Sequence, residues 1–139
     1  MTAPVEERKD AERQRAFSSS PYEERFGFCR AIRVGDRILV AGTGPIGVDG
    51  KTVSGDAAAQ AERCCTLIAA AIAELGGERR GVVRTRMFLT DPADQDAVGA
   101  VHARWFGEAR PVATMVGAAW LCDADWKVEI EAEAVIGDG

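Results

Sequence analysis

The chain has 139 residues, of which 47% are hydrophobic, and its formal net charge is −5, with 17 Lys or Arg against 22 Asp or Glu. This length and composition predict one globular domain. The acidic balance argues against nucleic-acid binding, because phosphates are repelled on average and no run of Lys or Arg alternates with aromatic residues.

The N-terminal segment differs in composition from the rest of the chain. Met1–Arg15 is rich in charged residues and has no apolar run, which is typical of a flexible tail. We therefore predict a charged, flexible tail over residues 1–16 and a single domain over residues 17–139. The segment lacks the apolar core of a secretory signal, and no later run is long enough to span a bilayer, so we expect a cytoplasmic protein without membrane contact.

Cysteine and histidine give no sign of a metal site. Cys29, Cys64, Cys65 and Cys122 form no CxxC pair, and three of them fall in strand or helix patterns, so we expect buried, reduced thiols. The single histidine, His102, has no ligand partner at metal spacing and is interpreted as structural. We therefore predict no metal ion, and one histidine also argues against a Ser-His-Asp triad.

The first half of the chain predicts a hairpin and a helix. Phe28–Val34 and Arg37–Ala41 are strand patterns separated by the two-residue turn Gly35-Asp36. The glycines that follow let the backbone bend or approach another group closely, but no phosphate-loop pattern surrounds them. Asp56 is a suitable N-cap for a helix with apolar residues at three- and four-residue spacing, and Gly76-Gly77 ends it.

A third strand and a second helix follow. Val82–Leu89 alternates, with Val83, Thr85, Met87 and Leu89 predicted on one side and Arg84, Arg86 and Phe88 on the other. Asp94 is expected to cap a helix that carries His102 and ends at Gly107.

The last part of the chain predicts two strands joined by a short polar turn. The first, Val112–Leu121, is apolar on both faces apart from Thr114. The second has a strict period of two. Its residues Trp126, Val128, Ile130, Ala132 and Ala134 point one way, and Lys127, Glu129, Glu131 and Glu133 point the other.

The predicted order is β-β-α-β-α-β-β. Two helices suffice to cover one face of a mixed sheet, which makes a two-layer α+β domain. The other face carries Arg84, Arg86, Phe88 and the row of glutamates beside strands that are apolar on both sides. Monomers seldom expose such a surface, so we expect copies of the chain to associate through it.

Acid/base catalysis by a carboxylate is the chemistry that the residues leave open. Glu129 lies centrally in its strand on the uncovered face, and burial at an interface would raise its pKa and suit it to handle a water proton. The alternative interpretation is that the glutamates form a solvated sheet face with no catalytic role.

Five segments together resemble the Rid (YjgF) family of reactive-intermediate deaminases, also called L-PSP endoribonucleases. Each motif is loose, but their order and spacing make the resemblance specific, and it extends from about Ser20 to Val135. The segments are Pro21-Tyr22, Val40–Ile46, Gly55–Ala61, Val83–Asp91 and Val128–Val135.

The resemblance implies a chorismate-mutase-like fold and a homotrimer that binds small molecules in clefts between subunits, without a cofactor. It implies hydrolysis of enamines or imines to 2-oxo acids and ammonia, with Glu129 positioning the attacking water. The expected substrate-binding positions are Tyr22 as an aromatic lining residue, Phe88 as an apolar wall, and backbone near Gly42, Thr114 and Met115.

Two positions depart from the family pattern, and one of them is Gly117, which occupies the site of a common Glu in a V-E-V segment. Members carry an arginine in a P-x-R-[ST] segment that grips the substrate carboxylate, whereas this chain has Ala113 there, in Pro111-Val112-Ala113-Thr114. Losing a bidentate carboxylate contact argues against small 2-imino acids as substrates. The sequence leaves open whether Arg84, Arg86 or Arg110 replaces it.

Three functions are therefore considered. The first is hydrolysis of an imine, an enamine or a related labile bond, with Glu129 directing water. The second is a non-catalytic trimer that binds a small molecule. The third is a ribonuclease, which the acidic charge and the single histidine disfavour.

Overall fold

The computed structural model describes residues 13–137, and their strands form one six-stranded sheet. The spatial order of the strands is β1-β2-β3-β6-β4-β5. All neighbours are antiparallel except β4 and β5, which are parallel. The strands are β1 (Arg13–Ala16), β2 (Ala31–Val34), β3 (Arg37–Thr43), β4 (Val82–Leu89), β5 (Val112–Gly117) and β6 (Val128–Val135).

Two longer helices cover one face of this sheet. The helices are α1 (Pro21–Phe26), α2 (Ala57–Glu74) and α3 (Gln95–Phe106), and two single-turn 3₁₀ helices lie at Arg79–Gly81 and Pro92–Asp94. Helix α2 packs on β3 and β6 and against α3. The predicted two-layer α+β architecture is confirmed, and the second face of the sheet has no covering layer within the described residues.

The residues predicted to begin and end α2 are confirmed in those roles. Asp56 accepts a hydrogen bond from the Ala59 amide at 2.9 Å, as an N-cap does. At the other end, Gly76 has a φ of 91°, and the Gly77 amide donates to the Ile72 carbonyl. The core beneath α2 is apolar and includes Ile68, Ile72, Val128 and Ile130.

The second helix is capped differently from the prediction. Asp94 makes no side-chain capping bond. Instead, the Asp91 carboxylate accepts from the Ala93 amide at 2.9 Å and starts the 3₁₀ turn that leads into α3. Pro92 after Asp91 favours this earlier start, because its fixed φ suits the first position of a helical turn.

Four expectations for the chain ends and strands are wrong. Residues 13–16 form β1, paired with β2, so the folded domain starts inside the segment predicted to be a tail; residues 1–12 lie outside the described part. The predicted strand over Phe28–Val34 begins only at Ala31. The predicted strand over Val112–Leu121 ends at Gly117, and β5 pairs with β4 rather than forming a hairpin with β6.

A register shift explains the remaining difference in β4. Between Val82 and Arg84 the pairing with β6 slips, so Val83 faces solvent and the buried side is Val82, Thr85, Met87 and Leu89. Such bulges break the period of two locally. From Arg84 onward the predicted alternation holds.

His102 has the structural place that the sequence predicted. Its Nε2 is hydrogen-bonded to the hydroxyl of the buried Thr85 at 2.7 Å, and its ring packs against Phe106. Burial lowers the pKa of His102. The fold therefore holds this imidazole in its neutral form over a wider pH range than the unfolded chain does.

Within the described residues, the helices are all too short or too polar to span a bilayer.

Acidification is expected to remove stability contributed by neutral His102. The unfolded histidine takes up a proton near pH 6.5, but the folded one does so only at lower pH, so its contribution is complete above about pH 6.5 and is lost as the pH falls. Urea unfolding of wild type and His102→Gln, at fixed protein concentration from pH 7.5 to 5, measures the difference. Wild type should lose stability relative to the variant below pH 6.5; parallel curves would contradict this role.

Candidate functional site

Glu129 lies near the start of β6, on the face of the sheet that the helices leave uncovered. Its neighbours Val128 and Ile130 are fully buried on the helix side, so the alternation of a strand directs Glu129 the other way. Its partner across the sheet is Phe88 of β4. The Glu129 side chain is half-buried, although other residues of this face are more exposed.

Gly42 contacts the Glu129 side chain directly. The pairing of β3 with β6 shifts register between Val40 and Thr43, and Gly42 sits in that irregular segment. A Cβ atom at position 42 would collide with the Glu129 carboxylate. The absence of a side chain at Gly42 lets the β3 backbone approach this carboxylate closely, and a Cβ there would make the flexible end of Glu129 move. The structure brings these two predicted site residues together.

A buried ion pair is hydrogen-bonded to the same segment of β3. Glu23 and Arg30 are each only 4% exposed, and Arg30 Nε donates to Glu23 Oε2 at 3.0 Å. Arg30 Nη1 also donates to the Gly42 carbonyl at 2.6 Å and to Thr43 Oγ1 at 3.0 Å. Neither charged residue was identified from the sequence as part of the site. The N-cap pattern Ser20-Pro21 was the available signal for α1, which carries Glu23.

The environment of Glu129 shifts its proton affinity upward. Burial raises the pKa of Glu129, the positive charge of Arg30 opposes part of that rise, and the neighbouring Glu131 adds to it. A raised pKa makes the carboxylate a stronger base than an exposed glutamate. Such a group can take a proton from water and return it at a pH nearer neutrality.

Tyr22 and Trp126 pack together beside the connection that carries Cys122. The Tyr22 ring meets the Trp126 ring edge-on with centroids 5.8 Å apart, and the Tyr22 hydroxyl donates to the Cys122 carbonyl at 3.4 Å. Partial burial and the nearby Glu129 charge raise the pKa of the Cys122 thiol. Tyr22 is therefore a neighbour of Cys122, whose thiol is close enough to Glu129 to be affected by its charge. That Tyr22 lines a substrate pocket stays a prediction.

Close packing of a second glycine fixes the Trp126 indole. A Cβ atom at Gly44 would collide with the indole ring, and Trp126 Nε1 donates to Thr52 Oγ1 at 2.9 Å. Trp126 was predicted from alternation to point away from Glu129, and its side chain is buried. It nevertheless shapes the site by supporting Tyr22.

The expectation for the cysteines is only partly correct. Cys64 and Cys65 are buried, and burial raises the pKa of Cys65 to about 12. Cys29 is half-buried and Cys122 is exposed. Cys122 differs because residues 118–127 form an irregular connection rather than a strand and a tight turn.

The predicted residues of β5 are not assembled with Glu129 within one chain. Register with β4 places Thr114 opposite Arg86 on the uncovered face, whereas Ala113 pairs with Thr85 and Met115 with Met87 on the helix side. Strand β4 lies between β5 and β6. Met115 lines a separate cavity of about 410 Å³ at the carboxyl ends of β4 and β5, together with Leu89, Thr90 and Gln95.

Two arginine–glutamate pairs also lie on the uncovered face. Arg86 Nη1 lies 2.7 Å from Glu131 Oε1, as expected for residues directly opposite each other on β4 and β6. Arg37 pairs with Glu133 at 3.3 Å. Arg84 and Arg86 line a groove of about 300 Å³ with Ile32, Leu39 and Glu131. Arg86 is thus held by a glutamate of its own sheet.

Residues 13–137 contain no cluster of three or more His, Cys, Asp or Glu side chains suited to hold a metal ion. The arrangement around Glu129 instead offers a carboxylate with a raised pKa, Phe88 opposite it on β4 and the Gly42 backbone against it. This combination suits proton transfer to and from a small molecule.

Comparison with known proteins identifies the family. A sequence model of the family described as Endoribonuclease L-PSP matches residues 19–136. The chain belongs to the L-PSP family. The resemblance seen in the sequence motifs is thereby confirmed.

Relatives of this L-PSP protein cover nearly the whole described chain. The uncharacterized protein SCO2049 of Streptomyces coelicolor is 40% identical over 89% of this chain and 92% of its own. The crystal structure of Rv2704 from Mycobacterium tuberculosis, a YjgF/YER057c/UK114 family member, has a TM-score of 0.81 at 37% identity and covers 89% of this chain and 99% of its own. These matches confirm the chorismate-mutase-like fold.

A further relative carries an enzyme name. The protein named 3-aminoacrylate deaminase RutC, from Acinetobacter baylyi, is 33% identical over 82 residues, which are 58% of this chain and 65% of its own.

The contact between Gly42 and Glu129 predicts strong coupling between the two positions. Gly42→Ala should destabilise the fold by about 1 kcal/mol, because the new methyl group makes the flexible end of the Glu129 side chain move. In a Glu129→Ala background the same change should cost below about 0.5 kcal/mol, since the obstacle is gone. Urea unfolding of the four proteins at one concentration gives both values.

Gly99→Ala is the matched control, because no atom lies within 4 Å of a Cβ at that α3 position. It should stabilise the fold by about 0.5–1 kcal/mol, as alanine does inside a helix. Equal costs of Gly42→Ala in both backgrounds would show that the contact is absent in solution.

Proposed function

We propose that this L-PSP family protein hydrolyses a reactive imine or enamine, with Glu129 as the residue that activates and positions water. The observation that carries this proposal is the half-buried Glu129 carboxylate, pressed against Gly42 and with a raised pKa. Family membership and the relative named 3-aminoacrylate deaminase support the class of substrate. The reaction uses no cofactor.

The reaction follows from the chemistry of a C=N bond. The oxygen of water adds to the imine carbon while one of its protons passes through the Glu129 carboxyl to the nitrogen. The resulting carbinolamine transfers its hydroxyl proton to nitrogen by the same carboxyl, the C–N bond breaks, and ammonia and a carbonyl compound leave. An enamine enters this route after a proton moves to its carbon and converts it to the imine.

The proposed substrate does not depend on a carboxylate group. Ala113 offers no charge where other members have an arginine, and Arg30 already bonds Glu23, Gly42 and Thr43. The carboxylates of Glu129 and Glu131 on this face would repel an anion. An uncharged or protonated imine avoids that repulsion, and Tyr22 and Phe88 provide apolar surface for it.

We propose that the complete site forms in a homotrimer, in clefts between subunits. The uncovered sheet face carries the partly exposed Leu39 and Val116 among its ion pairs, which is an unusual surface to leave in water. In the proposed trimer, β5 of one copy brings Ala113, Thr114 and Met115 close to Glu129 of the neighbouring copy. The free cysteines suit a reducing, cytoplasmic setting.

A non-catalytic small-molecule-binding trimer is the second candidate. Ala113 favours it, because loss of the substrate-gripping arginine is a change that a binding protein tolerates. The two candidates differ in whether the protein accelerates hydrolysis at all.

Turnover assays on two related imines test the catalytic proposal. Wild type should accelerate hydrolysis of uncharged 2-iminopropionamide more than that of 2-iminopropionate, with both imines generated in situ and followed by ammonia release. Glu129→Gln should lower kcat/KM by about 10²-fold or more, because general acid/base catalysis is lost. Ala113→Arg should shift the preference toward 2-iminopropionate.

Glu133→Gln is the matched control, since Glu133 belongs to the same row on β6 but pairs with exposed Arg37. It should leave kcat/KM unchanged. Hydrolysis by Glu129→Gln at the wild-type rate would refute the assignment, and a wild type inert toward both imines would favour the binding protein.

The proposed assembly predicts a sedimentation-equilibrium mass near three chains. Leu39→Lys places a charge in the groove of the uncovered face and should shift the mass toward one chain, because a lysine is costly to bury there. A wild type that sediments as a monomer at micromolar concentration would contradict the homotrimer.

A further inference from the structure

The buried Glu23–Arg30 pair is not used by the hydrolysis step described above. Both side chains are almost fully removed from solvent. Burying two charges is costly unless further hydrogen bonds satisfy them, and apolar residues of similar volume often replace such pairs without loss of stability. A buried pair on one side of a candidate site therefore invites a functional explanation.

The polar contacts of the pair form a continuous connection across the site. Ser18 donates to the Glu23 carboxylate through both its amide and its hydroxyl. Arg30 carries the connection from Glu23 to the Gly42 carbonyl and Thr43 hydroxyl. The Thr43 hydroxyl in turn donates to the Ala41 carbonyl at 2.7 Å. The irregular backbone of β3 at Gly42 is thereby held by one guanidinium.

The two ends of this connection carry the candidate catalytic and binding groups. Glu23 follows Tyr22 in α1, and Gly42 lies against the Glu129 carboxylate. Apolar packing alone would be enough to hold α1 against the sheet, so the position of α1 does not explain why a positive charge is present at Arg30. The charge of Arg30 has a separate effect, because it lowers the pKa of Glu129 against the rise caused by burial.

We propose that Glu23 and Arg30 are positioning residues for Glu129: the ion pair fixes the Gly42–Thr43 backbone against the Glu129 carboxylate and keeps a positive charge beside it. This inference rests on the proposed function for its catalytic meaning. Arg30 does not touch the substrate in this scheme. It acts through Glu129, by holding the carboxylate in place and in its ionised, water-activating form.

Other charged or titratable groups near Glu129 enter any pH dependence. Glu131 on the same strand raises the pKa of Glu129, and the charge of Glu129 in turn raises the pKa of Cys122 in the connection before β6 and of the buried Cys64 in α2. The thiols are neutral at pH 7, because burial raises the pKa of both Cys64 and Cys122. Arg30 is thus the positive charge among the groups that shift Glu129.

A direct titration of Glu129 tests the proposal without any substrate. The protein is labelled with carboxyl-¹³C glutamate, and the Glu129 signal is assigned by its absence in Glu129→Gln. In Glu23→Gln/Arg30→Gln, which keeps polar partners but removes both charges, the Glu129 midpoint should move to higher pH. A midpoint equal to or below that of wild type would overturn the proposal.

Arg37→Gln/Glu133→Gln is the control, because it neutralises an exposed arginine–glutamate pair on β3 and β6. The Glu129 midpoint should stay at the wild-type value in this variant. A shift as large as that of the buried-pair variant would show a general response to surface charge and would overturn the proposal.

Kinetics separate positioning from a purely structural role. In the Glu23→Gln/Arg30→Gln variant the acid limb of the kcat/KM profile should move with the titration midpoint. Arg30→Lys keeps the charge but loses the forked contacts to Gly42 and Thr43, so kcat should fall by about 10²-fold, as for a misplaced catalytic group, with KM nearly unchanged. Wild-type kcat in Arg30→Lys would overturn the proposal.

The two hypotheses fail in different ways. If wild type hydrolyses no imine, the proposed function fails, but the titration still measures whether Arg30 controls Glu129. If hydrolysis depends on Glu129 and the midpoint does not move in the buried-pair variant, the function stands and the positioning role fails. If the double variant does not fold, the kcat of Arg30→Lys tests the positioning role instead.

Discussion

Strand β6 lies between β3 and β4, and the alternation of its side chains organises both layers of the domain. Val128, Ile130, Ala132 and Ala134 are buried beneath α2. Because successive side chains of a strand must point to opposite faces, burying these four residues directs the intervening glutamates to the uncovered face. The position of Glu129 is thus a consequence of core packing, and no separate element is needed to present it.

The chemistry of Glu129 comes from contacts that β6 itself does not provide. The β3 backbone reaches the carboxylate because position 42 has no side chain, and Arg30 of the Glu23–Arg30 pair donates a hydrogen bond to the carbonyl of that backbone. Burial and Arg30 act on the pKa of Glu129 in opposite directions. Their balance lets a carboxylate remain a usable base in a crowded site, whereas burial alone would keep it protonated over a wider pH range.

In the proposed site, Ala113 leaves a different charge from the one that the family pattern implies. Its position at the edge strand β5 is separated from Glu129 by β4, so the change does not disturb the Glu129 carboxylate. Loss of an anion-gripping arginine and retention of the basic carboxylate are therefore compatible. Under the proposed function, this separation lets the substrate class change without a change in proton transfer.

The candidate site was predicted from local pattern only in part. Glu129 follows from the period of two as well as from the family resemblance, whereas Gly42 came in as a site position through the resemblance; their contact arises from a register shift that no pattern shows. Arg30 and Glu23 were missed because an ion pair across an irregular loop has no sequence period. Cys122 was placed in a tight turn, but it lies in a longer connection beside Glu129.

Local sequence determined the helices α2 and α3, strand β4 beyond its bulge, and the inward and outward sides of β6, because these depend on residues three, four or two positions apart. Only the tertiary structure decided that β6 enters the middle of the sheet and that β5 pairs with β4. Strand order depends on which apolar faces fit beneath α2 and α3, and it is this order that brings Arg86 opposite Glu131 across β4 and β6. Such contacts join residues far apart in the chain, so no short segment of sequence specifies them.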